Sequence, residues 1–153
     1  MMQLRKLIDQ CLSYILVFIL ATMTLNVIWQ VFSRYILKDP SIFTDELARF
    51  LMIWLGLLGA AYISGRNGHV AIDILVKKSS EKSQKILKFL VGVIIIFFVF
   101  LVFIIGGGGL VHITYTLDQY SPALQVPLAY VYIVIPISGI IIIYYTITDL
   151  FKS

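Results

Sequence analysis

The chain has 153 residues, 60% of them hydrophobic and 13% charged, with a mean hydropathy of +0.98 and a net charge of +4. A soluble domain carries roughly 45–50% apolar and about 25% charged residues, and so small a core cannot hide the excess, so an ordinary soluble fold is excluded and a bilayer is the remaining solvent. The single cysteine, Cys11, excludes a disulfide framework, and the basic residues lie between apolar runs without forming an aromatic-interleaved groove, so no nucleic acid is expected as partner.

In chain order, apolar runs cover about 12–37, 47–64, 87–112 and 126–150. A helix needs about 20 apolar residues to cross ~30 Å of hydrocarbon, and runs such as 93–99 do not alternate as barrel strands do. The expected fold is therefore all-α: one membrane domain over 1–153 with four transmembrane helices. Arg5 and Lys6 before the first run suggest a signal peptide, but that run continues to about residue 36 with no small-residue cleavage site, which predicts a retained anchor. The second connection holds Arg66, Lys77, Lys78, Lys82, Lys85 and Lys88, whereas the third holds only Asp118. The positive-inside rule then places the middle loop and both termini in the cytoplasm. Within that loop, residues 65–68 read as a turn, and the apolar stretch 70–76 reads as either a short interfacial helix on the inner leaflet or a plain loop.

Polar groups inside hydrocarbon are costly, so their places inform. Thr22, Asn26, Gln30 and Arg34 recur every four residues and form one stripe on the first helix. That stripe should face protein, either this chain's own helices or another subunit, and Arg34 has the further option of snorkelling to the surface. At the second helix Thr44 suits an N-cap, Asp45 and Glu46 suit the positive helix start, and either acid is spaced to pair with Arg49. Gly56 and Ala60 form a small-xxx-small pair for close helix approach, within the chain or to a partner. The run Gly106–Gly109 predicts a frayed or kinked end of the third helix. Pro127 suits a helix start, and Pro136 should kink the fourth helix.

Catalytic patterns are lacking. His69 and His112 fall toward opposite faces, and no metalloprotease, nucleophile-elbow, phosphate-loop or paired-cysteine motif occurs. Every carboxylate maps to a loop or a helix end, whereas a self-sufficient coupled carrier usually places acidic residues or broken helices near the midplane. Elimination leaves a supporting subunit of a larger membrane assembly with no catalytic role, no cofactor and no metal. The alternatives are a self-contained homo-oligomeric carrier or channel and a membrane anchor for a redox enzyme.

Residues 26–35 (NVIWQVFSRY), 45–50 (DELARF), 54–61 (WLGLLGAA) and 66–73 (RNGHVAID), followed by Pro127 and Pro136-Ile137-Ser138-Gly139, resemble in order the small membrane subunit of tripartite ATP-independent periplasmic (TRAP) transporters. The resemblance covers most of the chain, although the third helix matches only in hydrophobicity. It implies a scaffold subunit in the bacterial inner membrane, surrounded by lipid. Its partners would be a large elevator-type subunit that holds the substrate and sodium sites, and a periplasmic binding protein that delivers organic acids such as C4-dicarboxylates or sialic acid. The interface residues suggested by residue type are Asn26, Gln30, Arg34, Asp45, Glu46, Arg49, Gly56 and Ala60. The periplasmic loops around 38–44 and 118–125 would be the exposed docking surface.

Overall fold

A computed structural model of the chain describes residues 2–39, 41–66 and 81–151, so the segment expected to lie on the inner leaflet at 70–76 falls outside the described residues. Four helical spans are long and apolar enough to cross a membrane: Gln3–Leu37, Ile42–Gly65, Ser83–Thr116 and Leu128–Leu150. The described residues contain no strand, only an isolated bridge between Tyr120 and Pro127. The all-α, four-span fold expected from the apolar runs is what forms.

The fourth span is central. It packs against the second and the third, and the first packs mainly on the second. Burial follows that order, with 39% of the fourth span's apolar window enclosed against 11% of the third's. Leu12 and Ile19 of the first span, Leu58 of the second, and Val134 and Tyr145 of the fourth share one core. Ala61, Val99 and Ile142 form a second core toward the third span. Elsewhere Phe18, Leu25, Ile28, Ile94, Phe97 and Phe98 point outward and exposed, as side chains bathed in acyl chains do.

The first helix begins at Met2, well ahead of the apolar run, and its last turn widens into a π segment at Ser33–Leu37. The second helix starts at Ile42 after an extended Ser41, so Thr44 is not its N-cap: it lies in the first turn, with its hydroxyl donating to the Ser41 carbonyl at 2.8 Å. The third span does not fray at its glycines. A π segment at Phe100–Gly106 is followed by regular helix over Gly107–Thr116. The reason is the crossing with the fourth span, where a Cβ on Gly107 would lie 2.6 Å from Ile135 Cγ2 and one on Gly139 would lie 2.7 Å from Phe103 Cβ. One glycine from each helix, Gly107 and Gly139, thus lets the helices meet closely, as small residues do in membranes. Gly108 and Gly109 have open space.

The fourth span is interrupted at Ile133, between helices Leu128–Tyr132 and Val134–Leu150. Pro136 explains the place, because its ring crowds the carbonyl four residues back and it has no N–H to donate. Trp54 reaches this interruption from the second span and donates its indole N–H to the Val131 carbonyl at 3.0 Å.

Candidate functional site

Polar groups gather at the two ends of the bundle. At the end that holds both chain termini, the Arg5 guanidinium bonds Asp149 and the Gly65 carbonyl, and its Nη1 lies 3.4 Å from Thr148 Oγ1. It also sits over the Tyr145 ring, 5.3 Å from the centroid, and the fully buried Tyr145 donates its hydroxyl to Asp9. One cation thereby ties the first, second and fourth spans together. Its side chain is only 13% exposed, against 30% for Asp149, so the pair is largely removed from water.

At the far end the hub is the first turn of the second span. Three consecutive residues there serve three different contacts. The Thr44 carbonyl accepts from Asn26 Nδ2 at 2.7 Å, and Asn26 is buried. Asp45 accepts from Gln30 Nε2 at 2.6 Å through one oxygen and from Arg49 Nη2 at 2.7 Å through the other. Glu46 turns toward the third connection, where a single carboxylate oxygen accepts the backbone N–H groups of Ala123 at 2.9 Å and Leu124 at 2.7 Å. Of the two acids spaced to reach Arg49, Asp45 is the one that does.

The stripe on the first helix divides accordingly. Thr22 satisfies its hydroxyl on the Phe18 carbonyl, a bond within its own helix that needs no second protein. Asn26 and Gln30 bond the second span, whereas Arg34 is exposed and makes no ion pair with a described residue. A cleft of about 320 Å³ beside it is lined by Gln30, Val31, Arg34, Tyr35 and Asp45. On the second span Arg49, Gly56 and Ala60 are exposed, and a Cβ on Gly56 would meet nothing within 4 Å. The small pair therefore faces away from this chain's own helices, while the close intrachain approaches fall at Gly65, Gly92, Gly107 and Gly139.

The described residues offer no group of three or more His, Cys, Asp or Glu that could hold a metal. The far-end network can bind polar groups and fix geometry, and it contains no nucleophile with a base beside it. The decisive comparison is with protein families. Residues 23–153 match the family "Tripartite ATP-independent periplasmic transporters, DctQ component". The chain belongs to this family. A Haemophilus influenzae protein that bears the name of a TRAP transporter small permease is 29% identical over 153 residues, all of this chain and 93% of the relative. The sialic acid TRAP transporter small permease protein SiaQ of Vibrio cholerae is 36% identical over 81 residues, 53% of this chain and 47% of SiaQ. The isethionate TRAP transporter permease protein DctMQ of Oleidesulfovibrio alaskensis is 28% identical over 98 residues, 64% of this chain but only 15% of that protein. Members of the family are permease subunits of transporters and not enzymes.

Two features of the far and terminal ends went unread in the sequence. The Glu46 bonds join residues 77 and 78 apart, and the Arg5–Asp149 pair joins residues 144 apart. A signal for the second was present nonetheless: with four spans, Arg5 near the start of the first and Asp149 near the end of the fourth fall at the same end of the bundle, where opposite charges can pair.

Proposed function

We propose that this chain is the static small subunit of a sodium-coupled TRAP transporter that imports organic acids across the bacterial inner membrane. Substrates of the sialic acid or C4-dicarboxylate type suit it, by the names of its relatives. Both termini lie in the cytoplasm, supported by Lys6, Arg66, Lys85 and Lys88 near the terminal end against the lone Asp118 in the third connection. The far-end loops then face the periplasm, where a soluble binding protein delivers substrate.

The observation that carries the scaffold role is the state of the carboxylates. Asp9, Asp45, Glu46 and Asp149 stand at span ends, and each is engaged by a group of this chain. A self-sufficient coupled carrier usually places acidic residues or broken helices near the midplane. Here the acids stand at span ends and the break at Ile133 lies near one end of the fourth span, which supports a moving substrate site in a larger partner. The relative in which the matched segment is a small part of one longer permease supports such a partner. The outward face of Arg34, Arg49, Gly56 and Ala60 is the surface for it, with Asn26, Gln30, Asp45 and Glu46 shaping that surface from behind.

Affinity purification of the tagged chain from its native membrane tests the proposal. A many-helix permease is expected at about one-to-one, together with loss of uptake when the chain is deleted. A chain recovered alone, or one that transports by itself in liposomes, would overturn it.

A further inference from the structure

The third and fourth spans meet in a regular series of close approaches: Gly107 at Ile135, Gly139 at Phe103 and Gly92 at Leu150. Leu150 is the last residue of the fourth helix, whereas the third helix starts at Glu81. The turns before Gly92 therefore overhang the end of the bundle. Lys85 and Lys88 come seven and four residues before Gly92, which puts them on the same helix face. They thus reach over the end of the fourth span, where that span has stopped. Both are exposed, and neither makes an ion pair with a described residue. Lys6 and Arg66 are exposed at the same end, and the carboxylates described there are already engaged, Asp9 by Tyr145 and Asp149 by Arg5. Among the described side chains this end offers the lysines no free anion.

Apolar side chains lie bare beside them: Ile86 is 65%, Phe89 62% and Phe151 84% exposed. Phe89 follows Lys85 by four residues and so neighbours it on the helix surface. Bare rings past the last packed turn suit the membrane interface, where amphipathic groups collect, better than free water. At about 1.5 Å per residue, Lys88 lies about 6 Å and Lys85 about 10 Å beyond Gly92. A headgroup layer is roughly 5–7 Å thick, and a lysine stem can lean back into it.

We propose that Lys85 and Lys88 bind anionic phospholipid headgroups of the inner leaflet and so hold the overhanging end of the third span at the membrane surface. This rests on the orientation proposed above. The site shares no residue with the surface proposed for the large subunit. A lipid fits better than a soluble phosphate, because only a lipid brings acyl chain to cover Ile86 and Phe89. Each lysine held near an anionic leaflet strengthens association about fivefold.

The test uses the tagged chain purified with its large subunit, in nanodiscs of phosphatidylcholine holding a minor fraction of photoreactive lipid. Crosslinks to residues 83–93 are mapped by mass spectrometry, comparing photoreactive phosphatidylglycerol with photoreactive phosphatidylcholine at equal mole fraction. The anionic lipid is expected to label this segment at least about fivefold more. Lys85→Gln with Lys88→Gln should bring that ratio below about twofold, whereas Lys85→Arg with Lys88→Arg should keep it, since charge decides. Raising salt from about 0.1 M to about 1 M shortens the screening length from about 10 Å to about 3 Å and should also lower the wild-type ratio below about twofold. A wild-type ratio near one, or a ratio that the Gln pair leaves unchanged, would overturn the proposal. Absence of crosslinks from either lipid would overturn it too, since protein would then cover the face. So would loss of the anionic excess when chloride is exchanged for inorganic phosphate at equal ionic strength, which would mark a soluble anion as the occupant. If the Gln variant does not assemble, the salt series on the wild type carries the test, and a ratio that resists salt overturns the proposal. Failure of the orientation reading is distinguishable. Both leaflets of the nanodisc have one composition, so the ratio is read whichever way the chain faces, whereas a terminal tag cleaved by protease outside intact cells overturns the orientation alone.

Discussion

Gly139→Ala isolates the close crossing of the third and fourth spans. The added methyl carbon would stand 2.7 Å from Phe103 Cβ and 3.2 Å from Ile104 Cδ1. Carbon atoms rest about 3.5–4.0 Å apart, so the helices must separate by about 1 Å at this point. Phe103 Cβ is fixed to the backbone and cannot swing aside as a flexible side-chain tip would. Overpacking of this kind costs about 1–3 kcal/mol, offset in part by the better helix propensity of Ala, about 1 kcal/mol. Because Phe103 Cβ cannot yield, the upper part of that range, about 2–3 kcal/mol, applies; a net loss of about 1–2 kcal/mol is expected, which for a chain of this size lowers Tm by roughly 2–8 °C. Thermal unfolding of the purified chain in mild detergent is the assay, and Gly56→Ala is the paired control. A methyl there meets nothing within 4 Å, so that variant should equal or exceed the wild type. If Gly139→Ala is as stable as wild type, or Gly56→Ala falls as far, the assignment of one glycine to intrachain packing and the other to an outward face is wrong.

Arg5→Gln leaves Asp149 without its cation in a site largely closed to water, and breaking such a pair costs about 3 kcal/mol at the lower end of the buried range. The double variant with Asp149→Asn should recover part of that loss in the same thermal assay, and no recovery would mean the two are not coupled. Trp54→Phe removes the donor at the interruption of the fourth span, and an unsatisfied buried carbonyl costs about 1–3 kcal/mol. An unchanged Tm would show that water or another donor replaces the indole. Arg49→Glu faces Asp45 with a like charge on an exposed surface, so it should cost the isolated chain less than about 1 kcal/mol and yet reduce recovery of the large subunit in affinity purification. Full recovery would remove Arg49 from the proposed contact face.

The four spans were legible because hydrophobicity over about 20 residues is a local property of the sequence. The limits of the helices were less so. Residues 2–11 carry too many polar groups to read as part of a span, yet Arg5 and Asp9 are helical because partners 136 to 144 residues away satisfy them. The N-cap was misplaced at Thr44 because its residue type suits a cap, whereas the chain turns earlier, at the extended Ser41. The glycine run suggested a frayed or kinked end by propensity alone, and the helix runs on through it after a π segment that ends at Gly106. Tertiary packing overrode it, since Gly107 receives Ile135 from a helix that the local sequence does not mention. Spacing groups Thr22, Asn26, Gln30 and Arg34 on one stripe, but it does not distinguish a neighbour within the chain from one outside it. Only the geometry shows that Asn26 and Gln30 bond the second span and that Arg34 lines a cleft.

The latch between Arg5 and Asp149 also bears on how the protein is made. Its carboxylate is synthesised 144 positions after its cation. Until the fourth span arrives, the only partner that the described structure offers the guanidinium outside its own helix is the Gly65 carbonyl of the second span. The ionic partner and the rest of the nest come together, because the Tyr145 ring and Thr148 hydroxyl arrive on the same helix as Asp149. Insertion and ionic locking are thus separate events in time: the first two spans can already pack on each other, and the Arg5–Asp149 pair closes only when the fourth is in place.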